Sequence, residues 1–420
     1  MSNKIRRKDK FLLTVRNYAD NVGLFNLSCK YLVTLSGGAD SVALLLTMKD
    51  FGYDIEAVHC NFMLRGEESF RDERFCVNLC KRLGVKLHIV HFDTKEYASL
   101  HKVSIEMAAR ELRYSHFEKL RNDIGASGIC VAHHRDDCVE TIILNFLRGT
   151  GVRGLCGIRP RNGYILRPLL CVGKNDILDY LSSIGQYFVT DSTNLVDDVM
   201  RNKVRLDVLP LLESINPNLR NSLIKMSDYM TETSKIVDDY ASASASECIA
   251  EDGVVDISKL KNLISPEFTL YSIVSRYGFS STQTDEIMRS LDNGSGHIWI
   301  SDSHELLIDR NRIIIAPKND SERSETMKVP ECGIYICGNR KFSFSLETMD
   351  EDFRLSRTSD CVCLDADKVV FPLFIRHFTK GERFIPFGMK GSRLVSDYLT
   401  DRKKTLFQKR VQLVVSGKEG

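Results

Sequence analysis

The stretch YLVTLSGGADS, residues 31–41, decides the fold. Its first five residues are apolar, aromatic or β-branched and predict a buried strand, and the following VALLLTM, residues 42–48, predicts a helix. Between the two elements, Gly37 and Gly38 permit a tight turn and a close backbone approach to a ligand. The helix N-terminus offers unpaired N–H groups and a positive dipole end to an anion, and Ser36 and Ser41 add hydroxyl donors. This segment therefore predicts a phosphate-binding loop between a strand and a helix.

The first half of the chain repeats this strand-and-helix rhythm. We expect further strands at residues 55–59, 86–92 and 128–133, and helices at residues 67–83, 104–124 and 136–147. Strands that alternate with helices in this way imply crossover connections and a parallel sheet covered on both faces. The expected fold class is therefore α/β, with a parallel-sheet nucleotide-binding domain first.

The pattern changes after Pro210 and Pro217, where residues 218–250 predict a polar helix and residues 258–291 predict further short helices. The chain becomes strand-like from His297, and residues 319–329 have the composition of a linker. We therefore expect four regions. They are a basic N-terminal segment or helix at 1–27, the catalytic domain at 28–215, a mainly helical middle domain at 216–325, and a small basic α+β domain at 326–420.

The composition excludes several classes of protein. The chain has 420 residues, of which 43% are hydrophobic and 27% charged, as in ordinary globular proteins. Thirteen scattered cysteines include no C-x-x-C pair, which argues against zinc ribbons and thioredoxin-type centres and favours a reducing compartment. No apolar run reaches the roughly 18 residues of a membrane span, and the N-terminus has no signal peptide. We expect a cytoplasmic protein without membrane contacts.

The charge is unevenly distributed. The whole chain carries a formal net charge of +2, yet residues 371–410 hold ten Lys or Arg against three Asp or Glu. Residues 231–260 have the opposite balance, with two lysines and seven acids. A basic terminal region on a near-neutral chain suggests a polyanionic partner such as a nucleic acid, although a plain solvated basic face remains the alternative.

Several further motifs surround the phosphate loop in the predicted topology. Two follow predicted strands, namely HCNFMLRGEES at 59–69 and HHRDDCVET at 133–141. The others are SIEMAARELRY at 104–114, RGTGVRGL at 148–155, DSTN at 191–194 and RNKVR at 201–205, with GERFIPFGMKG at 381–391 near the C-terminus. The loop itself is not the common G-x-x-x-x-G-K-[ST] phosphate loop, because no Gly-Lys pair here precedes Ser or Thr.

The S-G-G-x-D-S loop resembles that of the N-type ATP pyrophosphatase, or PP-loop, superfamily. Together the motifs resemble the tRNA(Ile)-lysidine synthase family, strongly over about residues 28–215 and clearly over 370–405. This family often carries His-Gly where the chain has Phe62-Met63. Its members usually continue with another strand beyond the position of Gly420, so we expect a shortened terminal module.

The resemblance implies a C–N ligase that uses ATP and Mg²⁺. The cytosine O2 of cytidine 34, in the CAU anticodon of tRNA(Ile), would attack the α-phosphorus and release pyrophosphate. The ε-amine of L-lysine would then displace AMP and form lysidine. The sequence identifies neither the lysine pocket nor the basis of discrimination against tRNA(Met), and it leaves the oligomeric state open, with a homodimer as one option.

The candidate site residues follow from the motifs. We expect the catalytic residues to be Asp40, Asp137 and Arg113, and the Mg²⁺ ligands to be Asp40, Asp137 and Glu140, since carboxylates hold Mg²⁺ beside phosphates. A salt-bridged helix face remains the alternative for the arginines at 110 and 113, and a metal site at the two adjacent histidines is the less favoured interpretation. The expected ATP-binding residues are Ser36, Gly37, Gly38, Ala39, Asp40, Ser41, His59, Arg110, His133, Arg148 and Gly149. The expected tRNA-binding residues are Arg201, Arg205, Arg376, Lys380, Arg383, Lys390, Arg393, Arg402, Lys403 and Lys404.

Two other functions remain open from the sequence. One is a different PP-loop enzyme that modifies tRNA or forms amides, although the paired cysteines of the cytidine thiolases and a glutaminase motif are both missing from the sequence. The other is a non-catalytic tRNA-binding protein with a relic nucleotide site, which the acidic residues Asp40, Asp137 and Glu140 argue against.

Overall fold

The structure is a computed structural model that describes residues 2–190, 199–250, 253–293, 295–318, 326–337, 340–348, 358 and 360–417. The motif at 191–194 and most of the expected linker, residues 319–325, lie outside the described residues. The chain divides into two compact units, Met1–Val237 and Asp238–Gly420. Residues 238–325 of the expected middle region and the expected C-terminal region therefore fall together in the second unit, whereas residues 216–237 belong to the first.

The first unit is built on one six-stranded sheet with the order β3-β2-β1-β4-β6-β5. All neighbouring pairs are parallel except β5 with β6. Its strands are β1 (Lys30–Thr34), β2 (Asp54–Asn61), β3 (Lys86–His91), β4 (Gly128–Cys130), β5 (Arg161–Asn162) and β6 (Ile165–Leu166). Its first eight helices are α1 (Ser2–Asn21), α2 (Ala39–Asp50), α3 (Glu67–Leu83), α4 (Thr94–His101), α5 (Ile105–Asp123), α6 (Arg135–Leu147), α7 (Val152–Leu155) and α8 (Lys174–Ser183).

Strand β1 shows why the sheet is covered on both faces. Its residues alternate between two apolar clusters, because successive side chains of a strand point to opposite faces. Tyr31 and Val33 belong to the cluster that includes α2 and α8, whereas Leu32 packs with Phe117 and Leu120 of α5. The predicted strands and helices of this unit are confirmed, except that the strand expected at 128–133 ends at Cys130.

The N-terminal helix α1 belongs to the same unit. Phe11, Val15 and Ala19 are buried in the main core, and the Phe11 ring stacks on Tyr180 of α8 with centroids 4.3 Å apart. The expected N-terminal segment or helix at residues 1–27 therefore contributes apolar side chains to the core that covers the sheet.

A helical stretch leads from the first unit into the second. It contains α9 (Val199–Lys203), a π-helical turn (Val204–Val208), α10 (Leu209–Ile215) and the long α11 (Leu219–Cys248). Helix α11 passes through the division at Val237. The boundary expected near residue 215 thus lies before a continuous helix rather than at the division between the units.

The second unit combines short helices with small antiparallel sheets. Its helices are α12 (Ile257–Lys261), α13 (Pro266–Val274), α14 (Ser281–Ser290), α15 (Val395–Asp401) and α16 (Leu406–Arg410). Strands β7 (Val255–Asp256), β8 (Ile298–Ile300), β9 (His304–Asp309) and β10 (Arg312–Pro317) form one sheet in the order β7-β10-β9-β8. The others are β11 (Met327–Val329), β12 (Gly333–Cys337), β13 (Arg340–Phe344), β14 (Leu373–His377), β15 (Arg383–Phe384), β16 (Arg393–Leu394) and β17 (Leu413–Ser416).

The end of the expected linker is a strand. Residues 327–329 form β11, which pairs antiparallel with β14, and β14 pairs in turn with β17. The linker expectation is therefore wrong for these residues, because Val329 is buried against Leu373 and Ile375 in a core of its own. The residues before this strand are mostly polar, and a strand of three residues is too short to give a recognisable sequence pattern.

A buried carboxylate stabilises the amino-terminal side of the main sheet. Glu56 of β2 lies within 3.2 Å of the Lys30 and Lys86 ammonium groups and 2.6 Å from His88 Nε2. Burial alone would raise the pKa of Glu56, but the hydrogen bonds from these cations outweigh it and hold the pKa at about 2. The ionised form is therefore favoured in the folded state.

We predict that Glu56→Gln lowers the free energy of unfolding by about 2 kcal/mol at pH 7, since a lowered carboxyl pKa stabilises the fold above its unfolded pKa. The advantage of the wild type should shrink as the pH falls from about 4.5 towards 2, where the carboxyl protonates in both states. Urea unfolding of both proteins at pH 7, 4 and 3 measures the difference between their free energies of unfolding. A pH-independent difference would show that the ion cluster does not stabilise the fold.

Candidate active site

The phosphate loop lies at the carboxyl end of β1, the edge at which parallel sheets bind ligands. The Ser41 hydroxyl holds the loop from inside. It accepts hydrogen bonds from the N–H groups of Ser36 and Gly37, both at 3.2 Å, and donates one to the Gly38 carbonyl at 2.9 Å. No side-chain oxygen among the described residues caps α2, so the N–H groups of its first turn remain available to an anion.

Gly37 is required by the shape of this loop. Its φ of +94° lies in a region that side chains avoid. An added Cβ would make ordinary van der Waals contacts with Cys76 Sγ and a Phe75 ring carbon, both at 3.4 Å, so the positive φ rather than a steric clash is what requires glycine. The Gly37 carbonyl accepts a hydrogen bond from the Val189 N–H at 2.9 Å, which connects the loop to the segment that follows α8.

Asp40 is paired with a lysine that the sequence analysis did not include. Lys174 Nζ lies 2.7 and 2.8 Å from the two Asp40 carboxylate oxygens. Lysine is unfavourable in the first turn of a helix, where it opposes the dipole, and Lys174 occupies the first position of α8. This misplaced charge, following Gly173, was the sequence signal that could have identified it.

His134 is the point at which the site carboxylates meet. The ring is buried, and its Nε2 lies 3.5 Å from an Asp137 oxygen and 3.9 Å from an Asp40 oxygen. Asp137 also accepts the His134 backbone N–H at 2.9 Å, which fixes the carboxylate at the start of α6. The two aspartates predicted to act together are thus brought to one place. The expectation for ATP binding named the neighbouring His133 and omitted His134.

Asp136 anchors the start of α8 beside them. Its carboxylate accepts the Lys174 backbone N–H at 2.7 Å and the Arg220 guanidinium at 2.8 Å. Burial would raise the pKa of Asp136, but the Lys174 hydrogen bond and the Arg220 charge prevail and lower it. Asp136 is therefore a structural anion that places Lys174 next to Asp40.

Two histidines at the same sheet edge are held neutral. Burial lowers the pKa of His133 to about 4, and its Nδ1 accepts a hydrogen bond from Arg167 Nε at 3.1 Å. Burial also lowers the pKa of His59, whose Nδ1 lies 2.8 Å from the Leu35 carbonyl oxygen. At neutral pH both rings act as uncharged hydrogen-bonding groups beside the loop.

Glu140 has a different environment from the one expected. It is 2% exposed, and its two oxygens accept hydrogen bonds from Arg205 at 2.7 and 3.0 Å and from Arg201 at 2.9 Å. The expectation that Glu140 holds Mg²⁺ stays a prediction, and in this structure its carboxylate is paired with two guanidinium groups. Arg201 and Arg205, expected to bind tRNA, are instead oriented by this carboxylate.

The helix α5 arginines both lie against aromatic rings. Arg110 lies 5.2 Å from the Tyr114 ring centroid, and Arg113 lies 5.0 Å from that of Phe62. The salt-bridged helix face offered as the alternative is not what the structure has at these two side chains. Arg148 is exposed after α6, and Gly149 follows with a φ of +72°, as expected of a loop that can approach a ligand.

The basic residues of the second unit divide into paired and exposed groups. Arg376 forms a bidentate pair with Glu382 at 2.8 and 2.9 Å, and Arg393 pairs with Asp401. Arg383 donates to the hydroxyl and carbonyl oxygens of Ser392. The remaining expected tRNA contacts are exposed, namely Lys380, Lys390, Arg402, Lys403 and Lys404.

The arrangement is suited to an Mg²⁺-bound triphosphate. Two carboxylates, Asp40 and Asp137, converge beside an uncapped helix N-terminus, which is the donor set that Mg²⁺ takes when phosphate oxygens and water complete its shell. No cluster of three or more potential metal-ligating side chains occurs within the residues that the structure describes.

The fold and the loop define the class of this protein as a PP-loop ATP-binding protein. Residues 12–212 match the family described as a PP-loop domain, and residues 250–318 match the TilS substrate binding domain. Two proteins named tRNA(Ile)-lysidine synthase each align with 96% of the chain. That of Bacteroides thetaiotaomicron is 45% identical over 91% of its own length, and that of Parabacteroides distasonis is 43% identical over 92%. The chain belongs to the tRNA(Ile)-lysidine synthase family.

A third protein of the same name, from Porphyromonas gingivalis, is 37% identical over 88% of this chain and 84% of its own length. The similarity thus extends across both units. Within the described residues, no helix is both long and apolar enough to cross a membrane.

We predict that Gly37→Ala weakens ATP binding by at least about tenfold, because a Cβ strains the positive φ on which the shape of the loop depends. Gly52→Ala is the matched control, since Gly52 also has a positive φ of +78° but open space around it. Calorimetric titration with ATP measures both variants. Equal ATP affinities would contradict the proposed role of the loop geometry.

Proposed function

We propose that this protein ligates L-lysine to C2 of cytidine 34 in the CAU anticodon of tRNA(Ile), and consumes ATP to give AMP and pyrophosphate. The observation that carries the proposal is that Asp40 and Asp137 lie close together at one sheet edge, beside the uncapped N-terminus of α2 that follows the phosphate loop. Membership of the lysidine synthase family supports cytidine 34 as the acceptor base and lysine as the nucleophile. The reaction would take place in the cytoplasm, where tRNA, ATP and lysine are available.

The reaction has two steps that share one site. In the first, the cytosine O2 attacks the α-phosphorus of ATP, the α–β phosphoanhydride bond breaks, and pyrophosphate leaves. In the second, the deprotonated ε-amine of lysine attacks C2, the C2–O bond breaks, and AMP departs with the former O2 oxygen. Both steps depend chiefly on placing the reactants and neutralising phosphate charge, which a rigid sheet edge can do.

The loop residues have clear roles in this scheme. The N–H groups of the first turn of α2 would hold the β- and γ-phosphates, with the Ser36 hydroxyl beside them. Asp40 and Asp137 would hold Mg²⁺, which supplies charge neutralisation to the departing pyrophosphate. Lys174, which now neutralises Asp40, lies where its ammonium group can reach the same phosphates.

Arginines and neutral histidines surround the reacting groups. Arg110, Arg113 and Arg148 would stabilise negative charge at the α-phosphate or orient the anticodon. His59 and His133 would serve as uncharged hydrogen-bonding partners of the nucleotide. Glu140 would hold Arg201 and Arg205 in place towards the RNA or the lysine substrate.

The exposed cations of the second unit would bind the tRNA backbone. Lys380, Lys390 and the run Arg402, Lys403 and Lys404 are all exposed. Arg376 and Arg393 are less suited to this role than the sequence suggested, because each already pairs with a carboxylate. The basic surface we propose for tRNA is therefore narrower than the charge count predicts.

The activity is tested by incubating the protein with ATP, Mg²⁺, labelled lysine and tRNA(Ile) bearing a CAU anticodon, with tRNA(Met) as the comparison. We expect lysine incorporation only into tRNA(Ile). Asp137→Asn should reduce the rate by at least about 100-fold, because it removes charge where phosphate charge is neutralised.

Asp176→Asn is the matched control for Asp137→Asn. Asp176 also accepts a backbone N–H at a helix start, that of Gly173 at 2.8 Å, and lies outside the Asp40–His134–Asp137 cluster. We expect it to retain most of the activity. Equal losses of activity in both variants would show that Asp137 acts only as a helix cap. Absence of lysine transfer by the wild type would contradict the proposed function.

We also predict a steep salt dependence of tRNA binding that the triple variant Arg402→Gln/Lys403→Gln/Lys404→Gln reduces. Each lost phosphate contact should lower the slope of log Kd against log salt by about 0.7–0.9. A variant with Lys49, Lys81 and Lys119 replaced by glutamine, all exposed in the first unit, matches the charge change. Identical slopes for the two triple variants would contradict the proposed tRNA surface.

A further inference from the structure

An open cleft of about 400 Å³ lies on the far side of β4 from the phosphate loop. It is formed where the chain runs from α7 into the β5–β6 hairpin, and its lining consists of Arg153, Gly157, Ile158, Arg159, Asn162 and Arg167. Three of these six residues are arginines and none is acidic. The composition is that of a site for an anion rather than for an apolar ligand.

Arg167 joins this cleft to the active site. It follows β6 directly, at the same carboxyl edge of the sheet as His133, and donates from Nε to His133 Nδ1 at 3.1 Å. A second hydrogen bond runs from its Nη1 to the Arg159 carbonyl oxygen at 2.8 Å. Both acceptors are neutral, so the guanidinium is oriented but its charge is not balanced by them.

The positive charge of Arg167 is costly where it lies. The side chain is partly buried, and burial together with the nearby Arg110 lowers the pKa of its guanidinium. Within the described part of the chain, neither Arg159 nor Arg167 has a carboxylate within 4.0 Å. Buried charges are normally paired, so a cation held here by neutral acceptors favours an anion from outside the chain.

The floor of the cleft is rigid. Gly157 has a φ of +63°, and a Cβ there would come within 2.6 Å of Cys138 Sγ on α6. The Ile158 N–H donates to the same sulfur at 3.3 Å. The chain is thus pressed onto α6, the helix that carries Asp137, so the cleft keeps a fixed position relative to the catalytic carboxylates.

We propose that this cleft binds a backbone phosphate of the tRNA anticodon loop, next to the cytidine that reacts. The proposal rests on the proposed function, since it needs an RNA substrate at this sheet edge. The triphosphate of ATP has its own loop at β1, whereas the cleft lies at β6 and β5, beyond β4. The fork of Arg159 and the amide of Asn162 suit the oxygens of a phosphodiester.

The test compares Arg159→Gln with the wild type in binding a tRNA(Ile) anticodon stem-loop across a range of salt concentrations, and in binding ATP. The Arg159 side chain makes no hydrogen bond or ion pair in the described structure, so its loss leaves the fold intact. We expect stem-loop affinity to fall about five- to tenfold at low salt and the salt slope to fall by about 0.7–0.9. ATP affinity should not change, and Arg159→Lys should recover most of the slope.

Lys81→Gln is the charge-matched control, because Lys81 is exposed on α3, between β2 and β3 at the opposite edge of the sheet. If Arg159→Gln binds the stem-loop as Lys81→Gln does, the cleft is not an RNA site. A loss of ATP affinity instead would assign it to the nucleotide and overturn the proposal. Lysine transfer by the wild type is measured in parallel, so a failure of the proposed function is recognised separately from a failure of the cleft.

Discussion

The hydroxyl of Ser41 is the contact on which the active site depends. The hydroxyl accepts hydrogen bonds from two backbone N–H groups and donates one to the Gly38 carbonyl, which closes the loop into a turn. The N–H groups of the first turn of α2 follow this turn directly. The turn requires glycine at position 37, because its φ of +94° lies in a region that other residues rarely adopt. One side chain and one glycine thus convert an ordinary strand-to-helix connection into a place for a polyphosphate.

The rest of the site is arranged by neighbouring connections of the same sheet. The link from β4 to α6 supplies His134 and Asp137, and the start of α8 supplies Lys174, held by Asp136. These groups come from residues 36 to 174, and only the parallel order β2-β1-β4-β6 brings their connections to one edge. Charges of both signs are therefore brought together at this edge, with the Lys174 ammonium group on the Asp40 carboxylate.

Much of the fold is predictable from the sequence, because strands β1 to β3 and helices α3, α5 and α6 each have a strong local pattern. The phosphate loop and the closeness of Asp40 to Asp137 can be predicted by placing their motifs at the carboxyl ends of neighbouring strands. The pairing of Lys174 with Asp40 and that of Arg167 with His133 could not be found this way, because the partners lie 134 and 34 residues apart in the chain. The contacts of Glu140 with Arg201 and Arg205 could not be found for the same reason, because tertiary packing brings these residues together from distant parts of the chain.

The central claim is that this sheet edge activates a base oxygen of RNA by transferring AMP to it. The most direct measurement uses tRNA(Ile) that carries oxygen-18 at O2 of cytidine 34 and follows the label by mass spectrometry during lysine transfer. If the base oxygen attacks the α-phosphorus, the released AMP contains one oxygen-18 atom and the pyrophosphate contains none. Unlabelled AMP formed alongside lysine-modified tRNA would contradict it, because the base oxygen would then not have attacked the α-phosphorus.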